Sequence, residues 1–187
     1  VTGLLMPSPY SSTGSLDDAE VLAKNLGIQT HTVPIHNLYT MAKQTIIDMK
    51  IHHPNSLTDQ NLQSRIRGLL VMAYSNESGA LALATGNKSE LAVGYCTIYG
   101  DMNGALNPIG DLYKTQVYSL ATWMNQYIGP MIPQDTLTKP PSAELAHNQI
   151  DLDTLPDYDI LDSILFQYIE ADTVATNHNP DVVKRVI

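Results

Sequence analysis

Cysteine is almost missing from this chain. Cys96 is the single one in 187 residues. An internal disulfide is therefore excluded, and a reducing compartment, the cytoplasm, is expected. Positive charge is scarce as well: 10 Lys and Arg stand against 19 Asp and Glu, for a net charge of −9. A broad nucleic-acid surface needs a cationic face, so no nucleic-acid partner is expected. A small anion site survives this test, because a few cations can reverse the field inside a cleft. No apolar run approaches the roughly 20 residues of a membrane span, and no charged-then-apolar leader opens the chain. No membrane partner is expected. There is no starting methionine either. The chain opens on Val1 to Pro7 as a strand already under way. It closes on Pro180 to Ile187 as a helix just begun. A fragment of a longer protein is expected. What is present suffices for one domain with a real core, since 43% of the residues are hydrophobic.

Local patterns predict alternating strands and helices. Gly3 to Met6 reads as a buried strand, and Pro7 to Gly14 as a loop. Ser15 is the expected cap of a helix with Asp17 and Asp18 in its first turn. Ala19, Leu22 and Leu26 would share its buried face, and Gly27 would close it. Thr30 to Ile35 resumes β character. That order makes a βαβ unit and implies a parallel sheet. Asn37 to Lys50 is a second helix, with Leu38, Met41, Ile46 and Met49 as apolar points. His52 and His53 follow in a loop. Adjacent side chains rarely converge on one ion, so ordinary surface histidines are favoured over a metal site. Thr58 to Ser75 is a strong helix whose stripe is Leu62, Ile66, Leu69, Leu70 and Ala73. Asn61 and Arg65 lie on one shoulder of that stripe, and Arg67 lies near the other with Gln63. Arginines there either snorkel into solvent or face a site.

The stretch from Ala82 to Tyr118 carries most of the chemistry. Ala80 to Ala84 reads as a buried central strand ending at Thr85-Gly86-Asn87. Ligands of open α/β sheets bind beyond such strand ends. Glu90 completes a capping box with Asn87, or else holds Mg²⁺ or a substrate amide. Asp101 is either ordinary turn chemistry or a second site carboxylate. Lys114 opens a helix over Asp111 to Met124, with Leu112, Val117, Leu120 and Trp123 as apolar positions. A lysine in the first turn has the wrong sign for the helix dipole. It is either a solvated lysine, or it faces a bound phosphate together with the helix end. The phosphate reading is favoured. Ser142 is a natural cap after Lys139-Pro140-Pro141. His147 to Asp159 reads as a mobile acidic loop. Tyr158 to Ile169 is helical, and Asn177 to Pro180 starts a last helix.

These pieces come in a known order. Asn61-Leu-Gln-Ser-Arg65-Ile-Arg67, Thr85-Gly-Asn-Lys-Ser-Glu90, Tyr99-Gly-Asp101, Lys114-Thr-Gln and Pro141-Ser142-Ala143-Glu144-Leu145 together resemble the NAD synthetases. The Met6 to Ser12 loop and Leu155-Pro-Asp-Tyr158 are most similar to the glutamine-dependent branch. The resemblance implies an adenine-nucleotide α-hydrolase-like fold, a Rossmann-like three-layer α/β/α sandwich on a parallel sheet. It implies ATP-driven amidation of nicotinic acid adenine dinucleotide (deamido-NAD⁺) with ammonia derived from glutamine, and Mg²⁺ as cofactor. Carried over by position, Thr85, Lys114, Arg67, Ser142 and Ser12 would bind ATP. Asn61, Arg65, Glu90 and Asp101 would line the dinucleotide side. Lys114 and Asp101 would be catalytic, and Glu90 a Mg²⁺ ligand. Relatives acting as single enzymes often carry a lysine where Ile98 stands and an acid where Ala105 stands. These departures bear on the dinucleotide contacts or mark the glutamine-dependent branch. The family's Ser-Gly-Gly-x-Asp-Ser loop is expected before Val1, a basic closing segment after Ile187, and a glutaminase domain elsewhere. The polypeptide alone is expected to bind ATP weakly and turn over negligibly. A dimer is expected in the parent protein. The alternatives are an ATP pyrophosphatase that adenylates another acceptor, and a non-catalytic nucleotide-binding or dimerisation module.

Overall fold

Strand, helix and strand follow one another at the start of the chain, as expected. In the computed structural model, which describes residues 1–50, 56–171 and 177–187, β1 (Thr2–Leu5) and β2 (Gln29–Thr32) pair in parallel. Gly3 lies opposite Thr30. Helix α1 (Thr13–Asn25) makes the crossover, but its cap is Ser12 rather than Ser15. The Ser12 hydroxyl accepts the Ser15 N–H at 3.1 Å. That earlier start moves Asp17 and Asp18 out of the first turn, which holds no acid. Ala23 is the buried residue of α1 and Leu26 is exposed, so the apolar face is rotated from the expected one. Gly27 closes the helix at φ +64°, a conformation that a side chain would strain.

Helix α2 (His36–Asp48) and helix α3 (Leu57–Ser78) pack on this unit. Ile35, Tyr39 and Ile66 form the shared core, with Met6, Ala42, Leu62 and Leu70 around them. Leu38, Met41 and Met49 point outward instead, Met41 with 71% of its surface exposed. Two apolar stripes overlap in this segment, and periodicity alone does not choose between them. Helix α3 departs from expectation in the same way. Leu69 is 61% exposed, and Ala73 is exposed too. Asp59, Gln63, Ser64 and Gly68 are buried in their place. The cause is a tight crossing by the loop at 97–103. A Cβ on Gly68 would stand 2.7 Å from the Tyr99 carbonyl oxygen. A Cβ on Gly100 would stand 2.9 Å from the Ser64 Cβ. Only hydrogen at both positions lets helix and loop meet. The adjacent histidines His52 and His53 lie outside the described residues.

The expected central strand at 80–84 is not a buried strand. Its backbone bonds to 105–106 through Ala84 N–H to Leu106 O and Ala105 N–H to Ala82 O, both 2.9 Å. That amounts to one parallel bridge, between Leu83 and Leu106. Ala84 is buried, whereas Leu81 is 65% exposed and Leu83 is exposed as well. A strand is defined by its ladder, and this segment has too short a partner to build one. Among the described residues the sheet has two strands, and the architecture is mixed α/β.

The second half is helical: α4 (Lys88–Ala92), α5 (Lys114–Tyr127), α6 (Gln134–Thr138), α7 (Tyr158–Ile169) and α8 (Pro180–Val186). Helix α5 starts at Lys114 itself, three residues later than expected, and its Leu120 and Trp123 are exposed. Tyr113, Tyr158, Leu161 and Leu165 make a second core, against which Val93, Leu155 and Val186 pack. Among the described residues no helix is long and apolar enough to cross a membrane.

Candidate active site

A cleft of about 720 Å³ opens between α3, the 85–97 segment, the start of α5 and the 139–151 loop. That volume suits a ligand of nucleotide size. Thr85, Glu90, Lys114, Arg67, Asp101 and Asn61 all reach its walls, and so does Ser142. Ser12 and Arg65 do not line it, although Ser11 and Ser15 do.

One wall is built from α4 and α5. The capping box at Asn87 forms as expected: Asn87 Oδ1 accepts the Glu90 N–H at 3.0 Å, and Glu90 Oε2 accepts the Asn87 N–H at 3.1 Å. The other oxygen of Glu90 does more. Lys114 Nζ donates to Glu90 Oε1 at 2.9 Å, with the two side chains only 18% and 20% exposed. Cap and site are thus two oxygens of one carboxylate. The ammonium of Lys114 also lies 5.2 Å from the centre of the Tyr158 ring, in cation–π range.

The helix end beside Lys114 does not face an open phosphate site. Its first amides are already occupied. The Lys114 N–H donates to Ser89 Oγ at 2.8 Å, and the Thr115 N–H donates to Asp162 Oδ2 at 2.8 Å. The Ser89 hydroxyl donates in turn to the other oxygen of Asp162. Asp162 is 5% exposed and supplies the negative charge that this helix start needs. The lysine's unfavourable place in the first turn is therefore offset from α7, by a residue more than 40 positions away.

The opposite wall is α3 with the 97–101 loop. Asn61 Oδ1 accepts the Thr97 hydroxyl at 2.8 Å, and Arg65 Nε donates to the Ile98 carbonyl at 3.2 Å. The two shoulder residues do act together, by holding one loop. Asp101 Oδ1 accepts the Thr97 N–H at 2.7 Å and the Ser64 hydroxyl at 2.9 Å. One carboxylate oxygen is thus fixed. Cys96 sits between these walls, and burial, with Asp101 and Glu90 nearby, pushes its thiol pKa up.

Arg67 faces the cleft from the other side of α3. Its Nε donates to the Met6 carbonyl at 3.0 Å. Among the described residues it has no carboxylate at ion-pair distance, unlike Lys114 and Lys139. Burial pulls its pKa down and the charge of Glu144 pulls it back up. A half-buried guanidinium without a counter-ion is a poor structural element and a good anion receptor.

The roof is the 139–151 loop. Glu144 adopts φ +49°, which is unusual for a residue with a side chain. Its carboxylate ties this loop to the cap of α1, accepting the Ser12 hydroxyl at 2.7 Å, the Ser15 hydroxyl at 2.6 Å and the Ser12 N–H at 3.1 Å. Burial alone would raise its pKa, but these bonds and nearby Lys139 hold it below the ordinary value. The Ser142 hydroxyl is occupied within the loop, donating to the Gln149 carbonyl and accepting the Glu144 N–H. The segment expected to be a mobile acidic loop holds a 3-10 turn at Asp151–Asp153. Asp151 is 3% exposed and accepts the Tyr95 hydroxyl at 3.1 Å and the Tyr158 hydroxyl at 2.8 Å.

Sequence reasoning missed Glu144, Asp151, Ser89 and Asp162 as site-building groups. Apart from Tyr158, seven residues from Asp151, their partners lie tens of residues away, and a lone acid in an acidic loop gives no periodic signal. The Tyr158 and Glu144 motifs were visible only as parts of a resemblance. Among the described residues no three metal-binding side chains cluster. Glu90, whose two oxygens each take one hydrogen bond, is the carboxylate that could reach an ion held mainly by substrate phosphates.

The chain was compared with known proteins. A family model described as NAD synthase matches residues 1–187. The glutamine-dependent NAD(+) synthetase of Synechocystis sp. is 55% identical over 170 residues, covering 91% of this chain and 30% of that protein. The solved glutamine-dependent NAD⁺ synthetase of Acinetobacter baumannii, in complex with adenosine diphosphate, is 39% identical. It aligns with a TM-score of 0.70 over 98% of this chain and 33% of that one. The NMN synthetase of Francisella tularensis is 25% identical and aligns with a TM-score of 0.81, over 99% of this chain and 71% of that one. The chain spans about a third of the length of the curated relatives it matches.

Proposed function

The chain belongs to the NAD synthase family, and on that premise we propose that it is the synthetase portion of a longer glutamine-dependent enzyme. The proposed reaction is amidation of nicotinic acid adenine dinucleotide to NAD⁺. A carboxylate oxygen of the nicotinate attacks the α-phosphorus of ATP, and pyrophosphate leaves. Ammonia then attacks the carbonyl carbon, loses a proton, and expels AMP. The first step turns a poor leaving oxygen into a good one. The second needs two reactants aligned and water kept out.

The observation that carries this reading is Arg67, a half-buried cation without an ion-pair partner among the described residues, in a cleft that also holds Lys114 and Thr85. Arg67 and Lys114 receive the polyphosphate, with the Thr85 hydroxyl beside them. Lys114 exchanges part of its pairing with Glu90 for the phosphate as charge builds on the departing pyrophosphate. Ser142 and Ser12 act from behind, through the turn and the cap that set the roof. Asn61 and Asp101 form the dinucleotide wall with Glu90 at its edge, and Arg65 supports it by holding the Ile98 carbonyl. The second oxygen of Asp101 is the candidate acceptor for an N–H of ammonia. Two features are expected of the whole protein: the three-layer, Rossmann-like sheet and a dimer. A second reading keeps the chemistry and changes the acceptor to the deamido mononucleotide, supported by the likeness to an NMN synthetase.

The test is ATP-to-AMP turnover by the full protein carrying this chain, with ammonia, Mg²⁺ and each acceptor in turn. The expected result is one AMP per NAD⁺ from the dinucleotide, with KM for ATP raised in Arg67→Ala and Lys114→Ala and turnover still measurable. Preference for the mononucleotide would establish the second reading. No AMP with either acceptor would refute both.

A further inference from the structure

We propose that Asp151 is a positioning residue for Lys114, acting through the phenol of Tyr158. This rests on the reading that Lys114 meets ATP. The chain of contacts is continuous. Asp151 is buried and its two oxygens take one phenol each, Tyr95 on Oδ1 and Tyr158 on Oδ2. Its own N–H donates to the Pro141 carbonyl at 2.9 Å, which fixes the turn to the loop that roofs the cleft. Tyr158 opens α7, and its ring lies under the ammonium of Lys114. Burial first, then Asp151, raises the pKa of both phenols, so both stay protonated and donate.

The physical consequence follows from this geometry. Lys114 has a flexible four-carbon stem, and its pairing with Glu90 fixes one direction only. The ring fixes a second. The ring is itself fixed by the Tyr158 hydroxyl on Asp151, and a phenol that donates to a carboxylate presents a more electron-rich face to a cation. Asp151 thus sets both the place and the attraction of the platform that holds Lys114. Its three tethers run to Tyr95 and Pro141, which line the cleft, and to Tyr158, which is buried behind Lys114. The roof and the lysine therefore share one anchor.

The experiment is steady-state kinetics of the full enzyme with ATP varied and the other substrates saturating. Asp151→Asn, Tyr158→Phe and Lys114→Ala are made singly, with the first two also made in the Lys114→Ala background. Loss of the orienting contact is expected to raise KM for ATP about tenfold in Asp151→Asn and about threefold in Tyr158→Phe, which keeps the ring. In the Lys114→Ala background neither change is expected to raise KM further. A purely architectural residue would lower the active fraction, and hence kcat, while leaving KM unmoved. The coupling is overturned if Lys114→Ala raises KM and Tyr158→Phe and Asp151→Asn do not. It is also overturned if their effects persist undiminished without Lys114. Should Asp151→Asn fail to fold, Tyr158→Phe alone decides. If Lys114→Ala itself leaves KM for ATP unchanged, the ATP reading of Lys114 falls, and the coupling falls with it.

Discussion

Removing the Asp162 carboxylate should damage the start of α5 more than any surface change could. In Asp162→Ala, the Thr115 N–H and the Ser89 hydroxyl lose their acceptors inside a site that water does not reach freely. Ser89 is fully buried and also carries the Lys114 N–H. A hydrogen bond to a charged group contributes about 1.5–3 kcal/mol, and two are lost. Loss of an anion at a helix N-terminus adds about 0.3–1 kcal/mol. Relaxation and partial hydration return some of this, so a net loss of about 3–4 kcal/mol is expected. Asp162→Asn should cost much less. The amide oxygen can still accept from Thr115, and the amide nitrogen can donate to Ser89, whose oxygen has two lone pairs. About 1–2 kcal/mol is expected there. Urea unfolding followed by circular dichroism, compared at a common m-value, measures both. A cost below about 1 kcal/mol for Asp162→Ala would refute the reasoning. So would an Asn variant as damaged as the Ala variant, because shape rather than donor pairing would then be at stake.

Two further outcomes follow from the cleft. Arg67→Met keeps the stem length and removes a half-buried charge together with its bond to the Met6 carbonyl, so KM for ATP should rise at least about tenfold with only a small fall in melting temperature; a large drop in melting temperature would show that the guanidinium is chiefly structural. Glu144 has a folded-state pKa below its ordinary value, so its stabilising contribution is present above the ordinary glutamate range of about 4.3 and is lost as pH falls through the folded value. Glu144→Gln should therefore flatten the acid limb of the unfolding free energy below about pH 5, and an unchanged limb would remove Glu144 from that account.

Much of the site was legible in the chain because its pieces are local. The Asn87 to Glu90 capping box spans three residues, and the Gly27 helix end is one residue. The Asn61 and Arg65 pair is one turn of α3. Each obeys a rule of short range; the capping box and the helix end stand as read, whereas of the pair only Asn61 lines the cleft and Arg65 holds the Ile98 carbonyl. The βαβ start is legible for the same reason, since a period of two passing to 3.6 and back needs no knowledge of the partner. Misplaced features share a different property. Ser12 and Ser15 are both good caps and both hydroxyls bind Glu144, but only the Ser12 backbone N–H is also held by it. Leu38 and Tyr39 stand on competing stripes of α2, and the position of α3 decides which is buried.

Lys114 shows where the division lies. By sequence it was a cation at the wrong end of a helix, and an unfilled phosphate site was the natural explanation. The sequence alone determined that this lysine opens a helix, that Glu90 caps another, and that the order of motifs is that of one family. Tertiary structure decided that the helix end is already answered by Asp162, that the ammonium turns to Glu90 and Tyr158, and that Asp151 stands behind them. Local rules reach as far as hydrogen bonds between near neighbours. A buried carboxylate obtains its donors from whichever segments the fold brings together, and no pattern within its own segment announces them.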